Sequence, residues 1–113
     1  MGKIITEFKD RDEFKAFVKR HRGVVIVKFG AVWCAPCKKI KSYVMQKFSK
    51  MPSNVVLADL DIDQNDDVYA FSKCKSIPTI ISFVNGDMMD VVVGTKENEL
   101  EDFFRKVEAH ASM

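Results

Sequence analysis

Residues 24–37, VVIVKFGAVWCAPC, lead from an apolar run directly into a cysteine pair. Val24 to Phe29 is almost continuous in apolar, β-branched residues, the pattern of a central strand covered on both faces. Lys28 is its one interruption. Two of the three cysteines, Cys34 and Cys37, follow at its carboxyl end with Pro36 between them. From about Cys37 to Lys50, Ile40, Val44 and Phe48 share one helical stripe. The stretch therefore reads as buried strand, short loop and helix, with the cysteines at the helix start.

The pattern repeats outward in both directions. Upstream, a short strand over Ile4 to Phe8 precedes a helix that Asp10 and Glu13 mark with a capping-box spacing. Phe14, Phe17, Val18 and His21 recur at the spacing of one helical face, and Gly23 is expected to end the helix. Downstream, Pro52 and Asn54 break the chain before a second buried strand from Val55, followed by a short helix over Asp66 to Lys73. The segment SIPTIISFVNGDMMDVVVG, residues 76–94, reads as two antiparallel strands joined by Asn85-Gly86, a pair suited to a type I′ turn. Thr95 can cap a last helix in which Leu100, Phe103, Phe104 and Val107 share one face. The order βαβαβαββα predicts an α/β fold with a mixed central sheet and helices on both faces. No linker or repeat divides residues 1–113, which read as one domain.

Composition narrows the function classes. At 113 residues, with 47% hydrophobic and 30% charged residues, the chain is long enough for a core without disulfide staples. Eighteen basic residues against 16 acidic ones give a net charge of +2, dispersed along the chain. Neither nucleic acid nor membrane is an expected partner. The N-terminus lacks the pattern of a secretory signal. Gly2 with Thr6 matches a loose myristoylation pattern, but Ile4 and Ile5 serve better as a first strand. Few cysteines without a signal point to a reducing, cytoplasmic setting.

Three uses of Cys34 and Cys37 compete. A tetrahedral zinc site normally takes four N or S ligands, and here one pair stands with Cys74, His21 and His110 at unpaired spacings. As a staple, so short a loop would contribute only about 2 kcal/mol. Thiol exchange suits the spacing better. Cysteines at i and i+3 across a first helical turn lie on one side, within disulfide reach. The first of them sits among free N–H groups at the positive end of the helix dipole, which stabilises a thiolate. Pro36 fits an early helical position, where its missing N–H is not needed.

With WCAPCKKIK, SIPT, NG and VVVGT in this order, the chain resembles the thioredoxins over essentially its whole length. The resemblance implies a protein-disulfide reductase in which Cys34 attacks a partner's disulfide and Cys37 resolves the mixed disulfide. It implies that Trp33 contacts substrate, that Ile77 and a cis Pro78 lie against the cysteines, and that Val93 and Gly94 form the opposite wall. By the same resemblance the chain binds no cofactor, acts as a monomer on disulfide-containing proteins, and receives electrons from NADPH through a separate thioredoxin reductase.

Several positions depart from the family pattern. Lys28 stands where a buried aspartate is usual, and Asp59 where many members carry a lysine. Lys28 shares strand parity with Val24 and Ile26, and Asp59 with Val55 and Leu57, so a Lys28–Asp59 pair beneath the site is expected, the alternative being a Lys28 that snorkels to solvent and an Asp59 at a wet strand end. An unpaired buried ammonium would be costly. A positive charge near Cys37 favours its thiolate and leaves neutral Lys28, Asp59 or water to take the proton. Ala35 replaces a glycine, and Gly30 leaves room beside the site. Cys74 falls at an apolar position and reads as a small buried residue, the alternative being a regulatory or dimer-forming thiol. The alternative to catalysis is a binding module that has lost turnover through Lys28.

Overall fold

The computed structural model describes residues 2–113. Nine elements follow one another: β1 (Ile4–Ile5), α1 (Arg11–Arg20), β2 (Val24–Gly30), α2 (Ala35–Ser49), β3 (Val55–Asp61), α3 (Asp66–Ser72), β4 (Thr79–Val84), β5 (Asp87–Val93) and α4 (Glu97–Ala111). Five strands form one sheet in the order β1-β3-β2-β4-β5. β2 runs parallel to β3 and antiparallel to β4, and β5 is antiparallel to β4. This is the mixed sheet that the alternating periodicities predict.

The sheet separates two cores. Every residue of β2 is buried, and its side chains alternate between the two layers. Val24 and Ile26 join Val55, Leu57 and Ile80 under α2 and α4, where Ile40, Val44, Phe48, Leu100, Phe103 and Phe104 close the layer. Val25, Val27 and Phe29 face the other way, toward Phe8, Phe14, Val18 and Val68 beneath α1 and α3. Phe48 is fully enclosed. Truncating it to alanine removes about 3–5 kcal/mol of stability.

The element ends show where local chemistry prevails over pattern. β1 covers only Ile4–Ile5, not Ile4 to Phe8, because the Phe8 N–H turns from the sheet to donate to Asn65 Oδ1 at 2.9 Å. Asp10 caps α1 through the Glu13 N–H at 2.9 Å, while Glu13 reaches back to the Lys9 N–H at 2.8 Å. Gly23 does not end α1. His21 caps it with extended backbone, and Gly23, at φ +123°, makes the turn into β2. His21 Nε2–H donates to the Asn54 carbonyl at 2.9 Å and ties the end of α1 to the turn before β3.

Asn85 and Gly86 carry positive φ values of 50° and 91°, as a type I′ turn requires. At α4 the cap position falls on Lys96, one residue beyond Thr95, without a side-chain bond. Glu97 and Glu99 in the first turn complement the helix dipole there instead.

Candidate active site

Cys34 is the N-cap of α2, and Pro36 sits in its first turn. Cys34 and Cys37 are joined by a disulfide with Cα atoms 5.3 Å apart. The backbone N–H of Cys37 also points at Cys34 Sγ, 3.3 Å away. A thiolate at Cys34 would therefore meet an N–H donor already in place, at the positive end of a 15-residue helix with no acidic residue in its first turn. The cysteines are 6% and 3% exposed and pack with Ala31, Ile62 and Ile77.

Three further chain segments carry the remaining residues that the sequence pointed to. Trp33 is 64% exposed, and its indole Nε1–H donates to Asp63 Oδ2 at 2.8 Å. Ile77 touches the cysteine cluster, and the Ile77–Pro78 peptide bond is cis. The Ile77 N–H and C=O form no hydrogen bond among the described residues and are available to an extended partner segment. The Gly94 N–H donates to the Pro78 carbonyl at 2.9 Å, tying the β5 end to the Pro78 segment. A side chain at Gly94 would meet nothing within 4 Å, and Val93 beside it is 55% exposed.

Beneath the disulfide, Lys28 and Asp59 are direct Cα partners across β2 and β3. Lys28 Nζ donates to Asp59 Oδ1 at 3.3 Å, with side-chain exposures of 7% and 28%. A methyl group built on Gly30 would lie 3.4 Å from Cys37 Sγ and 3.6 Å from Lys28 Nζ. A cleft of about 300 Å³ opens here, lined by Lys28, Gly30, Cys37, Lys38, Asp59 and Asp61 among others.

Two residues that the sequence did not single out support the site. Asp63 fixes Trp33, as described above. Asn65, 1% exposed, accepts from the Phe8 N–H and donates through Nδ2 to the Thr6 and Asp61 carbonyls, at 3.3 and 3.1 Å. It locks the segment after β3, which carries Asp63, to the segment after β1. It stands at the N-cap position of α3, but its side chain makes no cap bond there. Cys74 is half-buried against the α1/α3 core and is not sealed within it.

Comparison with known proteins matches this arrangement. The thioredoxin family model covers residues 5–106. Mitochondrial thioredoxin of Mus musculus is 34% identical over 100 residues, 88% of this chain and 60% of the relative, so the chain spans about three-fifths of that protein's length. Thioredoxin of Coprinus comatus is 32% identical over 105 residues, 91% of this chain and 97% of the relative. Among solved structures, a reduced Schistosoma mansoni thioredoxin pre-protein superposes with a TM-score of 0.79 at 25% identity, covering 95% of this chain and 99% of that one. The chain belongs to the thioredoxin family.

Proposed function

We propose that this chain is a thiol-disulfide oxidoreductase that reduces protein disulfides through the Cys34–Cys37 pair. The observation that carries the proposal is the position of Cys34: an N-cap thiol bonded to Cys37 and packed beside Ile77 of the cis Ile77–Pro78 segment. In the reduced state the Cys34 thiolate attacks one sulfur of a partner disulfide, and the partner's other sulfur leaves as a thiolate and takes up a proton. Cys37 then gives up its proton and attacks Cys34 Sγ. The Cys34–Cys37 disulfide forms, and the second partner thiol is released. Two electrons pass from the cysteine pair to the partner.

The remaining residues serve binding and support. Trp33, Val93 and Gly94 border the partner segment, and Ile77 offers its backbone N–H and C=O. Pro78 presents Ile77 beside the cysteines, while Pro36 begins the helix that aligns them. Lys28 and Asp59 lie beneath Cys37 as an ion pair. The chain acts as one domain and as a monomer, holds no cofactor of its own, and works in a reducing, cytoplasmic setting. Its electrons come from NADPH through a separate thioredoxin reductase. No helix among the described residues is long and apolar enough to cross a membrane.

The binding-module reading is not favoured, because the pair is intact and stands in a family of disulfide oxidoreductases. Insulin reduction separates the readings. Turnover with dithiothreitol and with NADPH plus thioredoxin reductase is expected. Turnover with dithiothreitol alone would point to another electron donor, and none in either assay would overturn the proposal.

A further inference from the structure

The cleft beneath Cys37 contains a buried cation for which the two-cysteine scheme by itself has no use. Lys28 is enclosed on β2 between Val27 and Phe29, both fully buried. Its ammonium is held by one carboxylate, Asp59 on β3. Gly30 provides a measure of its position relative to the sulfur. A Cβ there would touch both Cys37 Sγ and Lys28 Nζ, so the two atoms lie no more than about 7 Å apart. At that separation in a partly dehydrated site, one unit charge changes a neighbouring ionisation by about tenfold or more.

The signs of the surrounding charges are equally informative. β2 contributes Lys28, α2 contributes Lys38 and Lys41, and β3 contributes Asp59 and Asp61 to the cleft walls. β4 places Ile80 opposite Lys28 and adds no titratable group there. Asp61 is occupied by the Asp63 N–H at 2.8 Å. Asp59 is more exposed than Lys28, so water weakens its repulsion of a Cys37 thiolate more than it weakens the attraction of the ammonium. Lys28 is the most enclosed of these charges, so its field is the one that water screens least.

We propose that Lys28 is a positioning residue for the resolving step: as an ammonium fixed by Asp59, it favours ionisation of Cys37, and the thiol proton leaves through the cleft to water. This deepens the oxidoreductase reading and rests on it. The step balances. The Cys37 S–H bond breaks, and its proton passes to water in a cleft of about 300 Å³, ample for several molecules. The sulfur's electron pair then forms the bond to Cys34 Sγ, and the bond from Cys34 to the partner breaks to release a partner thiolate. The acceptor is water, so no neutral amine is required as a base.

The β2–β3 register supplies a test that separates charge from architecture. Lys28 and Asp59 are Cα partners, so Lys28→Asp with Asp59→Lys keeps an ion pair and reverses its sign toward Cys37. The readout is the ¹³Cβ shift of each cysteine in the reduced full chain, followed against pH in wild type, the exchange variant, Lys28→Met and Lys28→Arg. The Cys37 midpoint is expected to rise by about one pH unit or more in Lys28→Met and in the exchange variant, a tenfold loss of thiolate at fixed pH. Lys28→Arg should stay close to wild type. Resolution of a preformed Cys34 mixed disulfide should slow in the same order below the new midpoint and recover at high pH.

A Cys37 midpoint that stays at the wild-type value in folded Lys28→Met, or in the exchange variant should Lys28→Met not fold, would overturn the proposal. So would an arginine variant that behaves like methionine. Failure of wild type to reduce insulin would instead remove the oxidoreductase reading itself, while the titration would still report the field of Lys28.

Discussion

The indole Nε1–H of Trp33 donates to the Asp63 carboxylate at 2.8 Å, across 30 residues of sequence, while the ring stays largely exposed beside Cys34. A large apolar side chain in water would ordinarily sample several rotamers. Here one hydrogen bond holds it at the edge of the site before any partner arrives. Immobilising such a side chain on binding costs about 0.5–1.5 kcal/mol. Asp63→Ala restores that cost, so KM for a protein disulfide should rise about two- to tenfold with kcat little changed. Unfolding free energy should move by less than about 0.5 kcal/mol, since the carboxylate is at the surface. Steady-state insulin reduction and Trp33 fluorescence anisotropy check both parts.

Asn65 carries the opposite profile, structural and not kinetic. Its side chain makes three hydrogen bonds to backbone groups of Thr6, Phe8 and Asp61. Asn65→Ala leaves a buried Phe8 N–H without a partner, and a loss of about 2–4 kcal/mol is expected in urea unfolding. The reduced variant should keep its cysteine chemistry at temperatures where it remains folded.

Two glycines should respond differently to the same substitution. A Cβ on Gly23 would lie 2.3 Å from the Asn54 carbonyl oxygen, at φ +123°. Gly23→Ala should therefore cost at least about 2 kcal/mol, through both strain and backbone displacement. At Gly30 the added methyl only makes contact with Cys37 and Lys28, at 3.4 and 3.6 Å. Gly30→Ala should fold normally and slow access of water to Cys37. Thermal denaturation of the two variants side by side decides the comparison.

Acid sensitivity has an identifiable contributor. Hydrogen bonds from the Arg11 side chain and backbone N–H hold the Asp67 carboxyl below its ordinary range. The folded state then binds this proton less readily than the unfolded chain. The stabilisation is present in full above the unfolded carboxylate value and is lost as pH falls through the lower, folded one. Asp67→Asn should abolish this part of the stability loss below about pH 4. Urea midpoints measured between neutral pH and pH 3 should converge for wild type and variant at the acid end. Equal differences at both ends would contradict the assignment.

How much of this was legible in the sequence depends on the range of the interaction. The element order followed from local periodicity, and the Asn85-Gly86 turn from two residues whose backbone preference is intrinsic. Strand parity anticipated the Lys28–Asp59 geometry, because side chains two apart on a strand must share a face. The ends of elements were less legible. β1 stops early because Phe8 finds Asn65, 57 residues away, and no local pattern encodes that bond. Gly23 looked like a helix cap, yet it is placed by the crossing of Asn54. Asp63 stayed hidden within an acidic run for the same reason, since its use depends on where Trp33 arrives through the fold.

The central claim is the division of labour between Cys34 and Cys37. Incubating reduced Cys37→Ser with an oxidised protein substrate, quenching with acid and mapping the adduct by mass spectrometry tests it directly. A stable mixed disulfide on Cys34, resolved rapidly in wild type and absent in Cys34→Ser, is the predicted result. An adduct confined to Cys74, or one that forms equally well without Cys34, would contradict it.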